Sequence, residues 1–247
     1  MARILLIDTS TAVLSVGLSL DGTLAQERVC TEARAQASLT APLVKEVLDA
    51  EGLSVKDCDA VCVSSGPGSY TGLRVGVSTA KGLAFGAGIP LIAIGTLDIL
   101  AHSVVAASGT AASVMAASGT AATVMADSDR PSLIVPMIDA RRMEVYTAVY
   151  SADGQRLTSV EAKVVGPESF ADELAKGPVV FIGDGALKCR DVITHPNARF
   201  RAAEPLARFM APLAQKAFDE GRFADLAYFE PFYLKDFVAT VSRKQLW

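Results

Sequence analysis

An apolar run ending in aspartate, an alternating strand and an Asp-Gly turn occur twice in this chain, and that doubling restricts its fold more than any other feature. The first copy runs "ILLI" to Asp8, then "VLSVGLSL", Asp21-Gly22 and "TLAQERV". The second runs "SLIVPMID" to Asp139, then "EVYTAVY", Asp153-Gly154 and "RLTSVEAKVV". Asp-Gly between alternating segments signals a tight hairpin, so each copy reads as a three-stranded meander. After the first meander, Leu39, Leu43, Val47 and Leu48 fall at helical spacing and Gly52 marks the stop. Strand "DAVCVSS", a helix to about Gly86, strand "PLIAI" and a helix from Thr96 follow. The second half continues in parallel, with a helix over 167–176, strand "PVVFIGD" and a helix near 206–220. Crossover helices between strands require mixed sheets covered on both faces, which is the α/β class.

The expected organisation is an N-terminal lobe over 1–103, an insertion over 104–131, and a C-terminal lobe with its tail over 132–247. The insertion holds a true repeat, "AASGTAASVM" then "AASGTAATVM", from Ala106 to Met125. A ten-residue period turns a helical face by roughly −80° each time, so the two copies cannot share a buried stripe. It reads as a low-complexity lengthening of a connection. Although no charge occurs from Ser103 to Ala126, the stretch is mostly Ala, Ser, Gly and Thr, which gain little in lipid, so no membrane span is expected. The start, "MARILLIDTS", lacks the long apolar region of a signal peptide and reads as a strand.

With 247 residues and 51% hydrophobic side chains, there is ample material for burial. A net charge of −4 argues against a surface that grips nucleic acid unaided. Cys30, Cys58, Cys62 and Cys189 form no C-x-x-C pair and read as reduced core thiols of a cytoplasmic protein.

The stretch "SSGPGSYTGLRVGVSTAKGLAFG", Ser64 to Gly86, resembles a phosphate loop but lacks the Gly-Lys-Ser/Thr ending of one. It also misses the dinucleotide fingerprint by one position, since Thr71 stands where the third glycine belongs. Gly72, Gly76, Ala80 and Ala84 recur at steps of four and line one helix face. Glycine in a helix costs roughly 1 kcal/mol relative to alanine, so another backbone is expected to come close. That backbone is either the chain's own sheet or another subunit. On the second reading, Leu73, Val77 and Leu83 flank the contact and Leu39 and Leu43 support it.

Other chemistry is sparse. His102 and His195 are the only histidines and match no zinc motif, and no G-x-S-x-G elbow occurs. Asp8 with Thr9 and Ser10, and Asp139 in the second copy, are weak candidates for a phosphate or metal site. Turn capping explains them equally well. Arg141 and Arg142 follow Asp139 where a nucleotide site needs room.

Taken together, "ILLIDTSTAVLSVGL", "SSGPGSYTGLRVGVSTAKGLAFGAGIPLIAIGTLDILA", "MIDARRMEVYTAVY" and "FEPFYLKD" closely resemble the bacterial TsaB (YeaZ) family. The resemblance implies a duplicated fold of the actin-like ATPase and ribonuclease H-like kind, in two lobes. It implies a non-catalytic subunit of the machinery that makes threonylcarbamoyladenosine beside the tRNA anticodon, binding and activating the transferase TsaD together with the ATPase TsaE. It implies a homodimer when alone, tRNA met through the complex, and no membrane. It leaves no cofactor in the isolated chain and puts ATP or ADP, if anywhere, near the partner interface. Where TsaD carries a metal-binding histidine pair, this chain has Thr96 and Leu100, so no metal is expected. The resemblance favours an interface made of Leu39, Leu43, Gly72, Leu73, Gly76, Val77, Ala80 and Leu83, with Arg74 at its rim. The alternative is an actin-like small-molecule phosphotransferase using Asp8 and Asp139.

Overall fold

The computed structural model describes residues 1–108 and 131–234. The first meander forms as its pattern requires: β1 (Arg3–Asp8) pairs antiparallel with β2 (Leu14–Leu20), and β3 (Thr23–Cys30) folds back onto β2. Asp21 (φ 49°) and Gly22 (φ 76°) make the turn, both left-handed, the geometry that matches a two-residue turn to strand twist. Parallel strands β4 (Ala60–Gly66) and β5 (Leu91–Gly95) extend the sheet in the order β3-β2-β1-β4-β5. The crossovers are α1 (Gln36–Asp49) and α2 (Tyr70–Ala87), which pack side by side over one face. Val44, Val47 and Leu48 of α1 and Val77, Ala80 and Ala84 of α2 meet Leu5, Ile7, Val16 and Val61 there. Ser69 caps the start of α2 and Gly88, at φ 70°, ends it.

The second half repeats the plan. Strands β6 (Leu133–Asp139), β7 (Glu144–Thr147), β8 (Tyr150–Ser151) and β9 (Glu161–Val164) are followed by α4 (Ala171–Ala175), β10 (Val179–Ile182) and β11 (Ala198–Arg201), where α3 is Thr96–Ser108. The order β9-β7-β6-β10-β11 matches the first sheet strand for strand, with β8 added against β6. The duplicated, two-sheet α/β architecture expected from the sequence is the one found. Two local expectations need correction. "RLTSVEAKVV" is strand only over β9, since residues 156–160 leave the ladder apart from a bridge between Arg156 and Tyr150. The helix expected over 167–176 begins only at Ala171, because Phe170 is left-handed (φ 63°) and the preceding turn is closed by the Gly166 N–H donating to Ser169 Oγ.

The last helix of each half covers the other half's sheet. Leu97, Leu100, Ala101 and Val104 of α3 pack with Ile134, Ile138, Tyr150 and Val180 of the second sheet. Helix α5 (Ala207–Asp219) lies across the first sheet, its Ala207, Met210, Ala211, Ala214 and Ala217 against Ile4, Leu6, Ala60, Cys62 and Ile92. Small residues along this face let the helix approach closely, and the Ala207 methyl fills the space beside Gly17. A polar clasp fixes its start: Glu27 is ion-paired to Arg208 and accepts from the Arg208 N–H (3.0 Å) and Ser15 Oγ (3.2 Å), while the Ala207 N–H donates to Ser15 Oγ (2.9 Å). The Ala106–Met125 repeat lies, from residue 109 onward, outside the described residues.

Candidate functional site

The glycine-rich stretch is answered by its neighbours. β1 ends at Asp8, and Thr9 and Ser10 then run directly under the turn from β4 into α2. The Ser69 N–H donates to the Ser10 carbonyl (2.7 Å), the Thr9 hydroxyl donates to the Gly72 carbonyl (2.7 Å), and the Gly72 N–H donates to Ser69 Oγ (3.3 Å). A β-carbon on Gly68 or Gly72 would overlap the carbonyl oxygens of Ser10 and Thr9, and one on Gly76 would overlap the Thr9 hydroxyl. The backbone that the glycines admit is therefore the chain's own.

Most residues of the expected interface take part in the chain's own packing. Gly72, Leu73, Gly76, Val77 and Ala80 are buried within the chain, and Leu39, Leu43 and Leu83 are half-buried against the same core. Of the set, Arg74 alone is exposed; its guanidinium lies over the Tyr70 ring, which packs on Tyr233 with centroids 4.8 Å apart. Thr9, a weak ligand candidate, is buried and engaged by Gly72.

The outward face of the two helices is offset from that stripe. On α1 it presents Ala37, Ser38, Ala41, Pro42 and Lys45, and on α2 it presents Arg74, Ser78, Gly82, Phe85 and Gly86. A β-carbon on Gly82 or Gly86 would touch nothing, and Phe85 is 80% exposed. The surface carries short side chains around the projecting Phe85, with exposed charge at Lys45, Glu46 and Asp49 toward the end of α1 and at Arg74 on α2. Sequence reasoning missed it, although Ser78, Gly82 and Gly86 form a second run at steps of four. Two parallel small-residue stripes on one helix leave the sequence unable to say which is inside.

At the carboxyl ends of the strands lie four acids. Asp8 is fully buried and accepts from Ser10 Oγ (3.0 and 3.2 Å) and the Ser10 N–H (3.2 Å). Burial pushes its carboxyl up to about 7, with hydroxyl and N–H donors only partly offsetting the effect. Burial also raises Glu204, which accepts from the Thr11 hydroxyl (2.7 Å), and Asp184, which accepts from the Asp139 N–H (2.9 Å). Asp139 is ion-paired to Lys188 and accepts from the Arg141 N–H (2.8 Å). Arg141 (φ 71°) and Arg142 (φ 53°) form the turn between β6 and β7. Asp8 is closed off from solvent, whereas Asp139 is exposed at the surface beside Lys188.

A pH dependence follows. Folded Asp8 holds its proton up to about pH 7, whereas the unfolded chain releases it near 3.8, so the folded state binds more protons between these values. Its contribution to stability is therefore intact at acid pH and is lost as pH rises from about 4 to 7. Asp8→Asn is expected to flatten that part of the curve, seen as a smaller difference between urea midpoints at pH 5 and pH 8. An equal difference in both proteins would assign the slope to other groups.

His195 is exposed and its Nδ1 accepts the Asn197 N–H (3.1 Å), while half-buried His102 is held below the usual imidazole range by burial. Among the described residues, no group of three or more His, Cys, Asp or Glu is placed to hold a metal ion, and no helix is long and apolar enough to cross a membrane.

The family model of TsaD, tRNA N6-adenosine threonylcarbamoyltransferase, matches residues 31–241. The TsaB tRNA threonylcarbamoyladenosine biosynthesis protein of Escherichia coli K12 is 34% identical over 96% of this chain and 96% of its own length. The protein of the same name from Haemophilus influenzae is 29% identical over 94% and 93%. Among solved structures, YeaZ from Pseudomonas aeruginosa superposes with a TM-score of 0.74 at 26% identity, covering 95% of this chain and all of that one.

Proposed function

Because this chain belongs to the TsaB family of tRNA threonylcarbamoyladenosine biosynthesis proteins, we propose that it is the non-catalytic scaffold subunit of that synthesis. On this reading it pairs with a TsaD-like transferase through the outward face of α1 and α2. A TsaE-like ATPase completes the assembly, and tRNA is met through the complex. Any ATP or ADP is held near the partner interface rather than by this chain alone. The same face closes a homodimer when the partner is missing, and the setting is the cytoplasm. Residues 1–103 and 132–247 act as the two lobes of one platform.

The observation that carries the reading is the surface of Ala37, Ala41, Ser78, Gly82 and Phe85. Two helices with such short exposed side chains let a second helix pair approach to contact distance, and an exposed phenylalanine supplies an anchor. The burial of Asp8 supports it from the other side, since it closes off from solvent one of the two acids that the phosphotransferase alternative needs.

Gly82→Arg is the test. Open space around Gly82 accommodates the side chain, and arginine is the better helix former, so the fold is expected to hold. Light scattering should show both the self-pair and the mixed complex with the transferase weakened roughly 100-fold. Undiminished pairing would move the interface elsewhere. Magnesium-dependent ATP turnover by the chain alone, lost in Asp8→Asn, would replace this reading with the phosphotransferase.

A further inference from the structure

After α5 the chain turns at Gly221 (φ 66°) and runs from Ala224 to Leu234 along the flank of α2, without helix or extended pairing of its own. It starts at the sheet edge, where the Ala224 N–H donates to the Leu91 carbonyl (2.8 Å) in a single antiparallel bridge. Midway, the Lys81 ammonium of α2 donates to the carbonyls of Phe229 (2.9 Å) and Ala227 (3.3 Å), while Leu226 and Phe229 pack against the core beneath the helix. At the far end the Phe232 N–H donates to the Ser65 carbonyl (2.7 Å), and the Tyr233 ring rests on Tyr70. Gly66 (φ 103°) is bare on this side, since a β-carbon there would sit 2.8 Å from the Phe232 carbonyl oxygen.

We infer that Ala224–Leu234 is a releasable strap, latched by Lys81, that holds the turn leading into α2 from outside. The turn is gripped on both flanks: Ser10 takes the Ser69 N–H from within, and Phe232 binds Ser65 and Gly66 from without. Only the inner grip belongs to the sheet core. A segment held by scattered contacts opens below the free energy of global unfolding, and a charged donor bridging two carbonyls is the strongest of those contacts. Opening it uncovers one side of Tyr70 and loosens the turn from Ser65 to Ser69, so that the strap sets how the start of α2 is presented.

Hydrogen exchange followed by mass spectrometry on the full chain tests it. Lys81→Met keeps the apolar stem and removes the donors. Amides of 224–234 should exchange about tenfold faster, with those of 66–73 rising alongside and those of β1 and β6 unchanged. Tyr233→Ala loosens only the far end, and should raise exchange at 232–234 and 66–73 while 224–229 stays protected by Lys81. Faster exchange at 224–234 without any change at 66–73 would overturn the coupling. No change at 224–234 in Lys81→Met would overturn the latch, and acceleration extending into β1 and β6 would overturn the strap as a separate unit.

Discussion

Alanine at position 72 is expected to destabilise the protein by about 3 kcal/mol, although alanine is the better helix former. The new methyl would overlap the carbonyl oxygen of Thr9, which is backbone at the end of β1 and has no rotamer to escape into. Moving α2 outward would also break the hydrogen bond from the Thr9 hydroxyl to the Gly72 carbonyl and the one from the Ser69 N–H to Ser10. The control lies three turns along the same helix. Gly82→Ala meets nothing, and is expected to stabilise by about 0.5–1 kcal/mol. Urea denaturation of the two variants should move the midpoint in opposite directions. Equal effects would mean that α2 can slide on the sheet, which would remove the reason given for its glycines.

Glu27→Ala is the second large effect, expected at about 3–5 kcal/mol. Glu27 and Arg208 are 6% and 18% exposed at their side chains, so removing the carboxylate strands a guanidinium, the Arg208 N–H and Ser15 Oγ in a region with little water. The start of α5 would lose its anchor. Glu27→Gln, which keeps an acceptor, should recover part of the loss, whereas a contact worth little beyond packing would leave the two variants alike. Thermal denaturation followed by circular dichroism separates these results.

The sequence made the doubled meander legible because Asp-Gly turns and period-two alternation are local signals. The glycines at steps of four correctly announced a close backbone. They could not say whose, because the Thr9–Ser10 segment lies some sixty positions earlier and meets them only through the pairing of β1 with β4. Phe170 misled in another way, since nothing in a phenylalanine marks a left-handed residue, and tertiary packing against Phe181 and Lys163 holds it there. The outward face escaped notice because exposed small residues at helical spacing look the same as buried ones. The strap left only its aromatic composition as a trace, and its route depends on Lys81 and Ser65, both far away in sequence.

The exchange of α3 and α5 between the sheets matters first on the ribosome. All five strands of the first sheet have been synthesised once Gly95 is made, yet the face formed by Ile4, Leu6, Ala60, Cys62 and Ile92 has little cover beyond Ile99 of α3 until residues 207–219 follow. At 5–20 residues per second, that apolar face waits for roughly 10 s. The nascent N-terminal half is thus a natural client for a chaperone, and the last helix to be synthesised ends its exposure.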